Sequence, residues 1–151
     1  METRRLKPSN FGNQGLTSDS QLYRECKNID GFLGVFDRNN IPTSFFKHKG
    51  SSIIVNLDPN YKRGGTHWVA SRNANDGPCI YYFDSFGRVC PSIITNMADR
   101  YGLGILASDI QYQKLNQNNC GQWAVSFIKA MDKGNKKRKE LETFMKICNV
   151  S

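Results

Sequence analysis

The chain has 151 residues, which suits one domain around one hydrophobic core, and 38% of them are hydrophobic, enough for a packed globule. Its longest apolar runs are too short to cross a bilayer, and no apolar stretch follows the basic N-terminus, so we expect neither a membrane span nor a secretory signal. The formal net charge of +8 favours contact with an anionic partner such as nucleic acid.

The cysteines argue against two common kinds of site. Their number is odd, no Cys-x-x-Cys pair occurs, and the chain has only two histidines. Structural zinc needs clustered ligands, and a disulfide framework needs paired cysteines in an oxidising compartment. We therefore expect reduced thiols, no bound metal and at least one lone cysteine. The five cysteines are Cys26, Cys79, Cys90, Cys120 and Cys148.

The first part of the chain predicts an arm, a helix and a loop. Residues 1–15 contain Pro8 and two glycines, and they predict an extended or flexible arm. Residues 17–29 predict a helix, because apolar residues recur at helical spacing after a Thr or Ser that can cap it. Residues 31–42 contain glycines, an Asn pair and a proline, and they predict a loop.

Three short apolar runs in the middle of the chain predict strands. Residues 51–57 are rich in β-branched side chains and predict a buried strand. Residues 66–72 and 79–86 predict two more strands, separated by a turn that contains an Asp-Gly pair. The last two runs therefore predict an antiparallel hairpin.

The C-terminal half predicts three helices and one strand. Residues 91–102 begin with a proline and end with a glycine, as helices often do, and residues 120–132 carry an apolar stripe at helical spacing. A strand is expected near 110–112 and a last helix near 136–148. The order of these elements predicts a single α+β domain over 1–151, with a central, mostly antiparallel sheet flanked by helices.

Cys120 differs from the other cysteines because it lies at the start of the strongest predicted helix. The free N–H groups and the dipole of a helix N-terminus stabilise a thiolate. Gly121 would let a substrate approach the sulfur without a Cβ in the way. Cys120 is therefore a candidate nucleophile, and the alternative is a small residue that happens to begin a helix.

His67 and Asp84 are the candidate partners of this thiol. A thiolate nucleophile needs a histidine as ion-pair partner and proton donor, and His48 is disfavoured because it stands between two lysines. In the predicted hairpin His67 and Asp84 face each other at the open end, where the carboxylate can orient the ring. The alternatives are a strand histidine with ordinary partners and an aspartate that caps a turn.

The stretches "GGTHWVA", "YYFDSFG" and "CGQWAVSF" resemble, in this order, the adenovirus-type cysteine proteases and their relatives that cleave SUMO and other ubiquitin-like modifiers. The order His, acid, Cys is that of the family, and the spacing of 17 residues from His67 to Asp84 is that of the adenovirus branch. The resemblance extends from about Leu16 to Met131. The chain departs from that branch in having Asp for Glu and in being shorter, so we do not carry over its disulfide-linked peptide activator.

The resemblance also implies an oxyanion hole and a substrate groove. The family uses a glutamine ahead of the cysteine, and the adenovirus spacing of seven positions falls here on Gln113. Gln111 and Gln117 are competing candidates. Trp68 and the backbone after the histidine would help to form a narrow groove that admits small residues.

The function implied by the resemblance is that of a thiol endopeptidase. Such an enzyme would cleave viral capsid or core precursor proteins at glycine-containing sites during virion maturation, in a small DNA virus or a virophage. It would act as a monomer in the virion and the infected cell, without a cofactor and away from membranes. The positive charge makes DNA the candidate for a non-specific partner and activating polyanion.

Two other functions remain open. The first is a SUMO or ubiquitin-like-modifier deconjugating protease with the same chemistry; in that branch the glutamine spacing is six, which falls on Lys114. The second is a non-catalytic, basic DNA- or capsid-binding module that retains the triad only as a remnant.

Overall fold

The chain forms a sheet whose strands are connected and flanked by helices. The computed structural model describes residues 6–12, 15, 17–58 and 67–149, and this part of the chain forms five helices and five strands. The helices are α1 (Asp19–Cys26), α2 (Thr43–Lys47), α3 (Ser92–Arg100), α4 (Cys120–Lys136) and α5 (Glu140–Ile147). The strands are β1 (Phe32–Asp37), β2 (Ser52–Asn56), β3 (Trp68–Asn73), β4 (Cys79–Phe83) and β5 (Gly104–Ala107).

The five strands form one sheet in the order β1-β2-β3-β4-β5. The inner pairs, β2 with β3 and β3 with β4, are antiparallel, and the outer pairs, β1 with β2 and β4 with β5, are parallel. The sheet is therefore mixed rather than mostly antiparallel. The reason is that α2 and α3 each carry the chain back across the sheet between the two strands of an outer pair, and such crossovers produce parallel pairing.

Both outer strands differ from the prediction. The predicted loop at 31–42 contains β1, where Gly34 has a φ of +139° and the register shifts between Phe32 and Gly34, so the alternation of side chains is interrupted. The strand predicted at 110–112 is wrong, since the chain pairs earlier, at Gly104–Ala107. That strand has only four residues and is mostly exposed at the sheet edge, so its short apolar run was a weak signal.

Two hydrophobic cores lie on opposite faces of the sheet. Because strand side chains alternate, Ile54 and Ala70 pack toward α1, α4 and α5, whereas Val55 and Val69 pack toward α2 and α3. The predicted α+β class, with a central sheet between helices, is confirmed. The α4 helix is buried along most of its length, which explains why its apolar stripe was the strongest helical signal.

Part of the predicted N-terminal arm is packed rather than free. Ser9 N–H donates to the Gln122 carbonyl at 3.1 Å, and Ser126 Oγ donates to the Lys7 carbonyl at 2.5 Å. Leu6 is buried in the core beneath these contacts. Residues 6–12 thus lie along α4, while residues 1–5, 13 and 14 of the predicted arm and residue 66 of the predicted strand lie outside the described residues.

A buried polar network fastens α5 to the turn between β3 and β4. Arg72 and Glu140 form an ion pair in which both side chains are 2% exposed. The other carboxylate oxygen of Glu140 accepts hydrogen bonds from Asn75 N at 2.8 Å and Asp76 N at 3.2 Å. Asp76 in turn accepts from Leu141 N at 3.2 Å, in the first turn of α5. The network fixes the end of the β3–β4 hairpin that lies away from His67.

None of the helices in the described ranges is long and apolar enough to span a membrane.

Candidate active site

Cys120 is the first residue of α4 and is 4% exposed. The first N–H groups of a helix have no partner within the helix, so the sulfur lies where a negative charge is stabilised. The backbone N–H of Trp68 also donates to Cys120 Sγ at 3.4 Å. The start of α4 and the start of β3 therefore meet at this sulfur atom.

His67 and Asp84 come together beside the thiol. His67 directly precedes β3 and Asp84 directly follows β4, and His67 Nε2 lies 2.9 Å from Asp84 Oδ1. The His67 side chain is 15% exposed and that of Asp84 is 1% exposed. The carboxylate is thus buried against the imidazole, as the orienting member of a triad requires.

The strand register that brings this pair together differs from the predicted one. Ala70 pairs with Phe83, so the ladder continued outward would set His67 opposite Phe86 rather than opposite Asp84. The prediction was therefore wrong by two residues. Side chains alternate with a period of two, so this shift leaves His67 and Asp84 on one face as diagonal neighbours, within reach of each other.

The surroundings of His67 favour its charged form. Burial has the largest single effect and lowers the pKa of His67, but hydrogen bonds to Asp84 and Cys120, with their negative charges, raise that pKa to about 9. An imidazolium next to the sulfur is what an ion pair with a thiolate requires. His48, the other histidine, is exposed and its Nδ1 lies 2.9 Å from the Ser44 carbonyl oxygen, so it takes no part in this site.

Gln113 is buried and its amide is held at both ends. Ser85 Oγ donates to Gln113 Oε1 at 2.6 Å, and Gln113 Nε2 donates to the Gln117 carbonyl at 2.6 Å. Since an amide nitrogen carries two hydrogens, one N–H is left for a further acceptor. Gln111 and Gln117 have exposed side chains, so burial favours Gln113 among the three candidates.

Trp68 lines a cleft of about 450 Å³ on one side of the thiol. Its side chain is 5% exposed, and Thr17, Asp19, Phe36 and Asp37 contribute to the same cleft. Cys120 does not line this cleft, and the two are connected through Trp68, whose backbone N–H contacts the sulfur.

Gly121 has a packing role in the structure. A Cβ at this position would collide with Thr17 Oγ1 and come within 3.0 Å of Leu22 Cδ2. The missing side chain therefore faces the segment that begins α1 and not the open cleft. Its predicted part in admitting a substrate stays a prediction.

The remaining thiols lie in environments that oppose ionisation. Burial raises the pKa of Cys26 and of Cys90 to about 12, and it also raises the pKa of Cys79 and of Cys148. A thiolate is the nucleophilic form, so these four are poor nucleophiles. Within the described ranges, no group of three His, Cys, Asp or Glu side chains is arranged to hold a metal ion.

The sequence analysis missed two residues that contact the site. Ser85 fixes the Gln113 amide, and the ring of Phe86 stacks on the His67 ring with centroids 5.1 Å apart. Both follow Asp84 in the stretch "DSFG". Their position next to Asp84 is visible in the sequence. Their contacts with Gln113 and His67 depend on the register of β3 against β4 and on the path of the loop that contains Gln113.

Comparison with known proteins finds a family model that matches the middle of the chain. The family model described as adenovirus endoprotease matches residues 32–101, a range that includes His67 and Asp84 and ends before Gln113 and Cys120. No curated protein sequence matches the chain at a significant level.

Two solved structures are similar to this chain. The crystal structure of the ASFV pS273R protease has a TM-score of 0.58 and 18% identity, covering 100% of this chain and 73% of that one. The C-terminal protease domain of Ulp1, in complex with Smt3, the yeast ortholog of SUMO, has a TM-score of 0.49 and 11% identity, covering 90% of this chain and 77% of that one. The family match and the fold shared with the ASFV protease confirm the predicted resemblance to adenovirus-type cysteine proteases.

Proposed function

We propose that this cysteine peptidase of the adenovirus endoprotease type is a thiol endopeptidase that works through Cys120, His67 and Asp84. One observation carries the proposal: an imidazole 2.9 Å from a buried carboxylate also contacts a sulfur at the start of a buried helix. A nucleophile, a base and a group that orients the base are the minimum for acyl transfer by a thiol.

In the proposed mechanism, the Cys120 thiolate attacks the carbonyl carbon of the scissile peptide bond. The C–N bond breaks as the His67 imidazolium gives its proton to the leaving amine, and a thioester remains on the sulfur. His67 then takes a proton from water, whose oxygen attacks the thioester; the C–S bond breaks, the acid is released and the Cys120 thiolate is restored beside the His67 imidazolium. Asp84 holds the ring and balances its positive charge throughout.

Gln113 would stabilise the negative oxygen that forms during both attacks. Its remaining amide N–H and the backbone N–H of Cys120 are the proposed donors. Support comes from the fixed orientation of the amide, because the Gln117 carbonyl can only accept a hydrogen bond and therefore faces the NH₂ group of Gln113. A donor that is already oriented costs little reorganisation when charge develops.

The proposed substrates are viral capsid or core precursor proteins, cut at glycine-containing sites inside the virion or the infected cell. The cleft beside Trp68 would take the peptide on one side of the scissile bond. Because Trp68 contacts the sulfur through its backbone, a large side chain next to the scissile carbonyl would meet the indole. A glycine there would avoid this collision.

Cysteine labelling followed by a peptide library tests the proposal. Limiting iodoacetamide at about pH 6, where an ordinary thiol is mostly protonated, should label Cys120 before the other four cysteines. A His67→Ala variant should lose this preference. Glycine-centred peptides should then be cleaved by the unaltered chain and not by Cys120→Ala. Equal labelling of all five cysteines would contradict the proposal, and cleavage of folded modifier fusions alone would favour a deconjugating protease.

A second proposed property, contact with DNA, rests on a basic surface along α4. Lys7, Lys129, Lys133 and Lys136 line this surface, although Lys129 lies 3.3 Å from Glu25 and Lys136 lies 3.1 Å from Asp132. At a helical rise of about 1.5 Å per residue, Lys133 is roughly 20 Å along the axis from Cys120. Bound DNA would therefore leave the thiol accessible.

Salt-dependent binding to random-sequence duplex DNA tests this surface. The double variant Lys133→Gln/Lys136→Gln should bind more weakly and with a smaller salt slope. The matched control Lys47→Gln/Arg100→Gln removes the same two positive charges from exposed positions on α2 and α3, at the other face of the sheet, and should weaken binding less. If Cys120→Ala kept every biological effect of the chain, a non-catalytic binding module would be the better description.

A further inference from the structure

We propose that Phe86 is a positioning residue of this site: its backbone holds the Asp84 carboxylate and its ring holds the His67 imidazole. The proposal rests on the proposed function, since it concerns how the same triad is held. Phe86 would act through the two residues that it contacts, His67 and Asp84.

The backbone contact fixes the carboxylate. Phe86 N–H donates to Asp84 Oδ1 at 2.8 Å, and the same oxygen lies 2.9 Å from His67 Nε2. The turn is closed by Gly87 N–H, which donates to the Asp84 carbonyl at 2.7 Å with a φ of +74° at Gly87. A Cβ at Gly87 would lie 2.7 Å from the Asp109 carbonyl oxygen, so this position requires glycine.

The ring contact fixes the imidazole. The rings of Phe86 and His67 are stacked with centroids 5.1 Å apart and planes at 29°. The guanidinium carbon of Arg88 lies 4.7 Å from the centroid of the same phenyl ring. A flat, electron-rich face is favourable for a cationic imidazolium, and a ring covered on one face cannot turn about its side-chain bonds without losing this contact.

These two contacts have one consequence for the chemistry. His67 must keep one nitrogen toward Asp84 and present the other side of its ring to Cys120. A rotation of the ring would lose both contacts at once. An aliphatic side chain of similar size at position 86 could fill the volume, but it would offer no flat face, so the ring would sample other orientations.

Substitution of the side chain separates the ring contact from the backbone contact, because the N–H remains in every variant except proline. The test compares the rate of Cys120 alkylation by iodoacetamide at about pH 6 in the unaltered chain, Phe86→Leu and Phe86→Tyr. We expect Phe86→Leu to slow alkylation roughly three- to tenfold, the effect that one aromatic pair supports, and Phe86→Tyr to restore most of the rate.

A matched control removes an aromatic stack far from the site. Tyr101 stacks on Phe46 with centroids 5.9 Å apart, and Tyr101→Leu should lower the melting temperature without slowing the labelling of Cys120. Near-ultraviolet circular dichroism checks that each variant is folded, and in NMR spectra the His67 ring signal should move in Phe86→Leu while that of the distant His48 should not.

The outcomes separate this proposal from the proposed function. If Phe86→Leu is folded and reacts at the unaltered rate, Phe86 has no positioning role and the triad stands without it. If Phe86→Tyr is as slow as Phe86→Leu, the ring face is not the cause and the proposal is also wrong. If Cys120 of the unaltered chain reacts no faster than Cys90, the proposed function fails and this inference falls with it.

Discussion

The backbone N–H of Trp68 contacts Cys120 Sγ at 3.4 Å, so one residue joins the start of β3 to the start of α4. His67 is its neighbour in the chain, and the same contact therefore sets how far the imidazole lies from the sulfur. Burial of the Trp68 side chain keeps this part of the backbone in place. The site is assembled by the packing of a strand end against a helix start, and not by a single loop.

Asp84→Asn should reduce peptide hydrolysis by roughly 10²- to 10⁴-fold, the range seen when a triad carboxylate loses its charge. The amide keeps the shape of the side chain but no longer stabilises an imidazolium. The pKa of His67 should fall from about 9, which an NMR titration can follow with His48 as internal reference. Asp99→Asn, an exposed carboxylate on α3, is the control and should change neither quantity. An active Asp84→Asn enzyme would contradict the role assigned to this carboxylate.

Hydrolysis should decline as the pH rises through about 9, the pKa of His67 in the folded protein. Above that pH the ring is neutral and has no proton for the leaving amine. Alkylation of Cys120 needs no proton donor, so it should persist at the same pH. The test measures the rates of peptide hydrolysis and of Cys120 alkylation on one preparation as the pH is raised. A parallel decline of both rates would indicate unfolding instead.

The same shift links stability to pH. The pKa of His67 is raised from 6.5 to about 9, so the folded state binds this proton more tightly than the unfolded state. The stabilising contribution is complete below about pH 6.5 and is lost as the pH rises through about 9. In urea unfolding, the unaltered chain should have a higher free energy of unfolding than His67→Gln at low pH. This difference should shrink as the pH rises across this interval.

Gln113→Ala should separate hydrolysis from thiol reactivity. We expect kcat/KM to fall by roughly 10²- to 10³-fold, as for the loss of one oxyanion donor. Alkylation of Cys120 forms no oxyanion, so its rate should stay within about a factor of two of the original. Gln117→Ala leaves the carbonyl that accepts from Gln113 and serves as the control. Equal losses in both assays would indicate damage to the triad and not to an oxyanion hole.

Glu140→Gln should lower the free energy of unfolding by about 3–5 kcal/mol, because it leaves the buried Arg72 without its counter-ion. The amide can still accept from the turn at Asn75, so the loss reports mainly on the charge. Glu142→Gln is the control: its partner Lys139 is 3.8 Å away and both side chains are more than half exposed, so the change should be within about 0.5 kcal/mol. Chemical denaturation measures both, and equal effects would contradict the prediction.

The site could be predicted in part because its members occupy recognisable positions in the chain. Cys120 begins a helix whose apolar stripe is plain in the sequence, and His67 and Asp84 flank a hairpin whose turn is marked by Asp-Gly. The predicted register was wrong by two residues, yet the pair still meets. An even shift preserves the face of a strand, so the prediction tolerated this error where an error of one residue would have separated the pair.

Local sequence alone determined the α+β class, the buried inner strands, the helix that begins at Cys120 and the residue types of the triad, because propensity and periodicity act over a few neighbouring residues. Only the tertiary structure decided the parallel pairing of β1 with β2 and of β4 with β5, the packing of residues 6–12 on α4 and the stack of Phe86 on His67. Each of these depends on contacts between distant parts of the chain. Short apolar runs such as those of β1 and β5 do not specify which strand they pair with, so their positions are set by the rest of the sheet and by the helices that cross it.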